Sequence, residues 1–93
     1  MPSEQTVQKQ IIKYLESYGY YVVKVVVANK RGVPDIIACS PQGKFIGIEV
    51  KAPGKLAGLT KLQKFRLGQI NETGGLGIVA DSLEMVKIGL GLL

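Results

Sequence analysis

Hydrophobic residues near the start of the chain recur at the spacing of one helical face. Val7, Ile11, Leu15 and Tyr18 follow a period of about 3.6 residues, and Ser3 stands before them as an N-cap candidate. Gly19 comes just after the last of these positions, where helices commonly end. The pattern predicts a first amphipathic helix with these four apolar side chains facing inward.

Three strands are predicted to follow this helix. Residues 20–27 are rich in β-branched and aromatic side chains, which predicts a strand that is apolar on nearly both faces. Residues 34–39 predict a short second strand, 40–43 a hairpin turn and 45–51 a third strand.

The second half of the chain predicts two more helices and a strand. Residues 52–58, rich in Gly, Pro and Lys, are expected to form a flexible basic loop, followed by a helix over 60–73. A short strand over 77–80 follows. Asp81, with Glu84 three residues later, resembles a capping box for a last helix that ends near Leu90. The order α-β-β-β-α-β-α predicts a mixed α/β fold, and 93 residues suffice for one domain spanning 1–93.

The composition excludes several kinds of chemistry. The chain has no His and one Cys, which excludes Ser-His-Asp and Cys-His catalysis, His-containing zinc sites and a disulfide framework. A lone cysteine, Cys39, fits a reducing compartment. Because there is no apolar run of about 18 residues and no signal-peptide pattern, we expect a cytoplasmic protein with no membrane partner.

Positive charge is concentrated in the middle of the chain. The net charge is +5, but the stretch 24–66 holds nine basic and two acidic residues. Such a tract indicates a polyanionic partner, nucleic acid first and an anionic membrane surface second, although a solvated basic surface is the plain alternative. The basic residues that flank the proposed site in the chain, and are therefore candidate phosphate contacts, are Lys30, Arg31, Lys55, Lys61 and Lys64.

Acidic residues and a lysine are predicted to meet at one edge of the sheet. Alternation along the third strand places Glu49 and Lys51 side by side on one face. A tight hairpin brings Asp35, near the start of the second strand, beside them. Such a cluster is either a structural ion-pair network or a site for a hard divalent cation such as Mg²⁺, with Lys51 beside the reacting phosphate.

Two helical residues bear on this edge. Glu4 lies on the inward face of the first helix at its N-terminus, where it is either a metal ligand or an acid that interacts with the helix dipole. In the second helix, Leu59, Leu62, Phe65 and Ile70 are predicted to face inward. Gln63 lies on the flank of that stripe, where its amide either reaches the active edge or caps a strand carbonyl.

These motifs together resemble the PD-(D/E)XK nuclease superfamily, and specifically the stand-alone VRR-NUC domains of phages and bacteria. The resemblance covers residues 3–80 and rests on Glu4, Gly32-Val33-Pro34-Asp35, Ile48-Glu49-Val50-Lys51 and Gln63. It implies a restriction-endonuclease-like α-β-β-β-α-β core, with a mixed four-stranded sheet and a C-terminal helix.

The resemblance also implies an activity and a set of roles. Asp35, Glu49 and the carbonyl of Val50 would bind Mg²⁺ or Mn²⁺ with help from Glu4. Lys51 would position the nucleophile and Gln63 would support the site. The implied reaction is phosphodiester hydrolysis in branched DNA by a homodimer similar to Holliday junction resolvases, in a bacterial or phage-infected cell.

The dimer has a physical argument of its own, and rival functions remain open. A four-way junction is two-fold symmetric, so a two-fold dimer presents two equivalent sites to two equivalent strands. The apolar C-terminal segment 88–93 packs either on its own domain or on a partner. The rivals are a nuclease of the same fold acting on flap or linear duplex DNA, of restriction or repair type, and a non-catalytic DNA-binding module.

Overall fold

The computed structural model describes residues 2–92 and shows a four-stranded sheet with helices on both faces. A short 3-10 helix, Leu56–Gly58, precedes the second α-helix. The main elements are α1 (Glu4–Ser17), β1 (Tyr21–Lys24), β2 (Ile36–Cys39), β3 (Phe45–Val50), α2 (Lys61–Glu72), β4 (Leu76–Ala80) and α3 (Leu83–Gly89). The predicted element order and mixed α/β class are confirmed.

The sheet is mixed, in the order β1-β2-β3-β4. β1 and β2 pair in antiparallel orientation, as do β2 and β3. β4 runs parallel to β3 after the crossover through α2. The β2–β3 turn closes at Gly43, whose N–H donates to the carbonyl of Ser40 over 2.8 Å. Gly43 has a φ of 88°, a left-handed conformation that favours glycine.

The hydrophobic core lies between the sheet and helices α1 and α3. Apolar side chains from one face of the sheet pack against both helices there, and burying them removes most of the apolar surface that drives folding. The buried core residues are Val7, Ile11, Leu15, Ile36, Ala38, Ile46, Ile48, Val50, Ile78, Ala80 and Val86.

Helix α2 covers the opposite face of β3 and β4, and it approaches them closely because two strand residues are glycines. A Cβ on Gly77 would lie 2.7 Å from the carbonyl oxygen of Leu67, and one on Gly47 would lie 2.5 Å from the side chain of Ile70. The inward side of α2 therefore matches the sequence prediction at Ile70 but not at Leu62 and Phe65. Leu67 is buried, whereas Leu62 and Phe65 are exposed, Phe65 to 57%.

The prediction for the first strand was also wrong in length and burial. β1 ends at Lys24 and is an edge strand that no helix of the described chain covers on the α2 side, and most of its side chains are exposed. Val26 and Val27 are outside the strand, and Val27 is 89% exposed. β-branched composition reports strand propensity but not whether a neighbouring strand or helix covers the side chain.

Three local predictions need correction. Tyr18 is the C-cap of α1 and is exposed, because the helix ends before this side chain can reach the core. The N-cap of α3 is Ser82, whose side chain accepts a hydrogen bond from the N–H of Met85. Asp81 instead accepts a hydrogen bond from the N–H of Gly54, which tethers the loop that was expected to be flexible.

The C-terminal segment packs in part on its own domain. Leu90 packs against the core, whereas Ile88 is exposed. Leu93 lies outside the described residues, as does Met1. In the part of the chain from 2 to 92, no helix is both long enough and apolar enough to cross a membrane.

Candidate active site

Register in the β2–β3 hairpin brings Asp35 next to Glu49. Ile36 pairs with Ile48, so Asp35, one residue earlier, lies across from Glu49, one residue later. The Asp35 carboxylate accepts a hydrogen bond from the N–H of Val50 over 2.8 Å, which holds it at the end of β3. The two carboxylates therefore share one edge of the sheet.

Glu49 is the more deeply buried of the two acids. It is only 3% exposed, and its Oε1 is buried without a hydrogen-bond partner within residues 2–92. Burial above all, together with the negative charge of Asp35, raises the pKa of Glu49 to about 8. Glu49 therefore lacks a positive partner strong enough to keep it ionised at neutral pH.

Lys51 follows on the same edge and is oriented by two oxygens. Its Nζ donates to Oε1 of Gln63 over 3.0 Å and lies 3.7 Å from Oε2 of Glu49. The Lys51 side chain is 14% exposed, so its ammonium group remains accessible to a ligand entering this edge. The ion pair lowers the pKa of Glu49, but burial and Asp35 outweigh it.

Gln63 belongs to the inward side of α2 rather than to its flank. Gln63 is the third residue of that helix, and its Oε1 also accepts the backbone N–H of Thr60 over 3.0 Å. Of the two uses that the sequence left open, the structure shows the amide at the active edge, bonded to Lys51. No strand carbonyl is bonded by Gln63 among the hydrogen bonds of residues 2–92.

Glu4 is separate from the carboxylate pair. It is half-buried in the first turn of α1, where Ser3 supplies the capping side chain. Its negative charge adds less to the raised pKa of Glu49 than burial or Asp35 does. Within residues 2–92, no three Asp, Glu, Cys or His side chains are close enough to form a ligand group. The structure therefore unites Asp35, Glu49, Lys51 and Gln63 and leaves Glu4 at a greater distance.

The oxygens of this edge fit a hard divalent cation. Two adjacent carboxylates repel each other, and one buried oxygen of Glu49 has no hydrogen bond, so a cation would relieve both costs. Mg²⁺ commonly binds through one or two carboxylates and keeps several waters. Asp35 and Glu49 meet that requirement without a third acid.

The five candidate phosphate contacts are all exposed. Neither of the ion pairs in residues 2–92 involves them, so their charges face solvent. Arg66 supports the loop that carries two of them, because its Nε donates to the carbonyl of Arg31 over 2.9 Å. The residues concerned are Lys30, Arg31, Lys55, Lys61 and Lys64.

Sequence reasoning missed several residues that shape the site. Thr60 and Gln63 form a capping box, and their spacing of three residues is the sequence signal that reveals it. Arg66 and Asp81 act on loops distant in sequence, so no local pattern identifies them. Gln8 is 5% exposed, and its Oε1 is buried without a hydrogen-bond partner in the described chain. A polar residue on an amphipathic helix is expected to face solvent, so the sequence pattern gives no sign of this burial.

Beyond the site, part of the sheet on the α2 side is uncovered. Register aligns Tyr21, Cys39 and Phe45 across three strands, and Val23 with Ile37 in the next row. We call these five residues the open sheet face. Tyr21, Val23 and Phe45 are exposed, and a groove of about 330 Å³ separates Phe45 and Ile37 from α2. The face is largely apolar. It lies on the same side of the sheet as Asp35 and Glu49, toward the opposite ends of β2 and β3.

One sequence relative shares most of its length with this chain. It is named "Putative nuclease p44" and comes from Acyrthosiphon pisum secondary endosymbiont phage 1. The two are 32% identical over 85 residues, which cover 91% of this chain and 89% of the relative. No family model matches the chain.

Two solved structures have the same fold. One, described as "VRR_NUC domain", superposes with a TM-score of 0.75 at 25% identity, covering 95% of this chain and 94% of its own. The other, described as "VRR_NUC domain protein", has a TM-score of 0.74 at 20% identity over 97% of this chain and 86% of its own. The second likeness shows the fold alone.

Proposed function

Because this chain belongs to the VRR_NUC family of nucleases, we propose that it is a divalent-metal-dependent endonuclease that cleaves branched DNA as a homodimer, as Holliday junction resolvases do. The observation that carries the proposal is the buried Glu49 beside Asp35, with one oxygen lacking a partner and Lys51 held next to it. An ion-pair cluster with only a structural role would pair every buried charge.

The residues of the candidate active site have different roles in the proposed hydrolysis. Asp35 and Glu49 would hold Mg²⁺ or Mn²⁺, together with the carbonyl of Val50. Such a cation supplies Lewis-acid chemistry, neutralising phosphate charge and lowering the pKa of water. Lys51 places a positive charge next to the carboxylates, where it orients the nucleophile and stabilises charge developing on the phosphate. Glu4, in the first turn of α1, assists from outside the pair.

Gln63 and the exposed basic residues complete the binding of substrate. Gln63 keeps Lys51 at the edge through the 3.0 Å hydrogen bond. Lys30, Arg31, Lys55, Lys61 and Lys64 bind phosphates, since their charges are exposed and not paired with acids of the described chain. Phosphate contacts set affinity and register but do not read sequence, so we expect recognition of DNA shape.

The dimer proposal is supported by the open sheet face. Exposed apolar faces of this kind are commonly covered by a partner. This face lies on the same side of the sheet as Asp35 and Glu49. A second copy docked there would give a two-fold arrangement with two nuclease sites, which matches the symmetry of a four-way junction.

A cleavage assay tests the proposed function. The purified protein would be incubated with an immobile four-way junction, a flap and a linear duplex, each with Mg²⁺, Mn²⁺ or EDTA. We expect paired symmetric nicks in the junction that require the metal. The Lys51→Ala variant should lose cleavage while its DNA affinity stays within a few-fold of wild type. Lys9→Ala, which removes an exposed lysine of α1, is the matched control and should cleave normally.

The other outcomes separate chemistry from substrate. Metal-dependent cuts only in flap or linear DNA would leave the nuclease chemistry in place and exclude the junction substrate. Binding without product under every metal condition, or full cleavage by Lys51→Ala, would contradict the proposed mechanism.

A further inference from the structure

A single side-chain oxygen joins the start of α2 to Lys51. Oε1 of Gln63 accepts the backbone N–H of Thr60 and the ammonium of Lys51, each over 3.0 Å. A carboxamide oxygen has two lone pairs, so both are used. The reverse orientation would direct the NH₂ group at two donors, and the amide therefore has one favourable orientation.

Thr60 makes two hydrogen bonds with Gln63, one to its side chain and one to its backbone. Its backbone N–H donates to the Gln63 side chain, and its Oγ1 accepts the backbone N–H of Gln63 over 3.0 Å. This reciprocal pair is a complete capping box at the first turn of α2. Thr60 itself is exposed and does not contact the carboxylate pair.

Lys51 depends on this arrangement for its position. A lysine side chain has many rotamers, so holding its ammonium group in one geometry requires directional contacts. Its hydrogen bond to Gln63 is shorter than its 3.7 Å separation from Glu49, so Gln63 provides the directional contact. If the amide rotates away, the remaining partner of Lys51 in the described chain is Glu49, whose oxygens are also candidate metal ligands.

We propose that Thr60 is a positioning residue for the reaction: its hydroxyl accepts the backbone N–H of Gln63 and so fixes the first turn of α2, from which the Gln63 amide holds the Lys51 ammonium at the active edge. This inference rests on the proposed function, because it assigns a role within the same site. It predicts that loss of the threonine hydroxyl affects turnover more than it affects DNA binding.

The test compares two helix caps that differ in one respect. Thr60→Ala removes the cap of α2, and Ser82→Ala removes the equivalent side-chain cap of α3, which is not linked to Lys51. Both should lose similar stability, because each variant removes one N-cap side chain. We expect Thr60→Ala to lower kcat about 10- to 100-fold with KM and DNA affinity in EDTA nearly unchanged. Ser82→Ala should keep kcat within about twofold, and Thr60→Ser should restore it.

A second readout follows Lys51 without using activity. NMR of the Lys51 side chain should show an ordered Nζ–Cε group in the wild type and in Ser82→Ala, and an averaged one in Thr60→Ala. The proposal is overturned if Thr60→Ala keeps the wild-type kcat, or if both cap variants lose kcat equally. A wild-type protein that cleaves no DNA would defeat the proposed function, while the NMR comparison would still decide whether Thr60 holds Lys51.

Discussion

Glu49 couples the stability of the protein to its chemistry. The side chain is almost fully buried, and both burial and Asp35 favour its neutral form over the charged form. Lys51 is the opposing influence, at 3.7 Å, and it is not sufficient. A residue selected only for stability would not be a carboxylate at this position, which agrees with a ligand role for it.

We predict that Glu49→Gln stabilises the metal-free protein increasingly as pH rises. The pKa of Glu49 in the folded protein is about 8, above the ordinary value of 4.5 for an exposed glutamate, so the folded protein retains a proton that the unfolded chain releases between these pH values. The free energy of unfolding of the wild type therefore falls as pH increases from about 4.5 to 8, by an amount on the order of a few kcal/mol. Gln has no such proton.

Urea unfolding in EDTA at a series of pH values measures this effect. The stability difference between Glu49→Gln and wild type should be smallest near pH 4.5 and largest above pH 8, while the variant loses cleavage. Glu16→Gln, at an exposed position of α1, should follow the wild-type curve. A difference that does not change with pH would contradict the prediction.

At the scale of elements, the position of α2 decides where Gln63 and Lys51 meet. The helix lies directly on β3 and β4 because Gly47 and Gly77 have no side chains between it and the sheet. That close approach buries Leu67 and turns Phe65 outward. The close approach that these glycines allow therefore places Leu67 and Ile70, rather than Leu62 and Phe65, against the sheet.

We predict opposite effects for two glycine-to-alanine substitutions. In Gly77→Ala the new Cβ would meet a backbone oxygen at 2.7 Å, which must shift the helix and should destabilise the fold by about 1–3 kcal/mol. Gly68 lies inside α2 with open space around it, so Gly68→Ala should stabilise by about 0.5–1 kcal/mol. Thermal unfolding of both variants checks this, and equal shifts would contradict the packing argument.

At the scale of the whole molecule, helices cover one face of the sheet more completely than the other. Helices α1 and α3 cover one face, whereas on the other face α2 covers β3 and β4 and the open sheet face remains. β1 is also one of the two edge strands, with an unpaired backbone edge among the described strands. Exposed apolar edges favour association between copies.

We predict that the open sheet face carries the dimer contact. The double variant Tyr21→Lys with Val23→Lys should sediment as a 10.0 kDa monomer, whereas the wild type should sediment at twice that mass. The control Ile88→Lys replaces an exposed apolar residue of the C-terminal helix and should remain dimeric. Dissociation by Ile88→Lys alone would place the contact on the C-terminal segment instead, and a monomeric wild type would exclude the dimer.

Local sequence signals were sufficient for the elements and for the meeting of Asp35 with Glu49. The turn at 40–43 and the alternation along β3 are short-range features, and together they set the hairpin register that aligns the acids. The Ser3 cap and the Thr60 position likewise follow from neighbours in the chain. Residue roles in metal binding and catalysis stay predictions, since they concern ligands and not the fold.

The sequence by itself therefore determined the element order, the basic middle of the chain and the acid–lysine edge, because each depends on residues that are close in the chain. Tertiary structure alone decided which side of α2 is buried, that β1 is an exposed edge, that Glu4 is apart from the acid pair and that Asp81 tethers a loop. The physical reason is that burial and long-range hydrogen bonds depend on how closely two elements approach. That distance is set by glycines and by the ends of strands and helices rather than by hydrophobic periodicity.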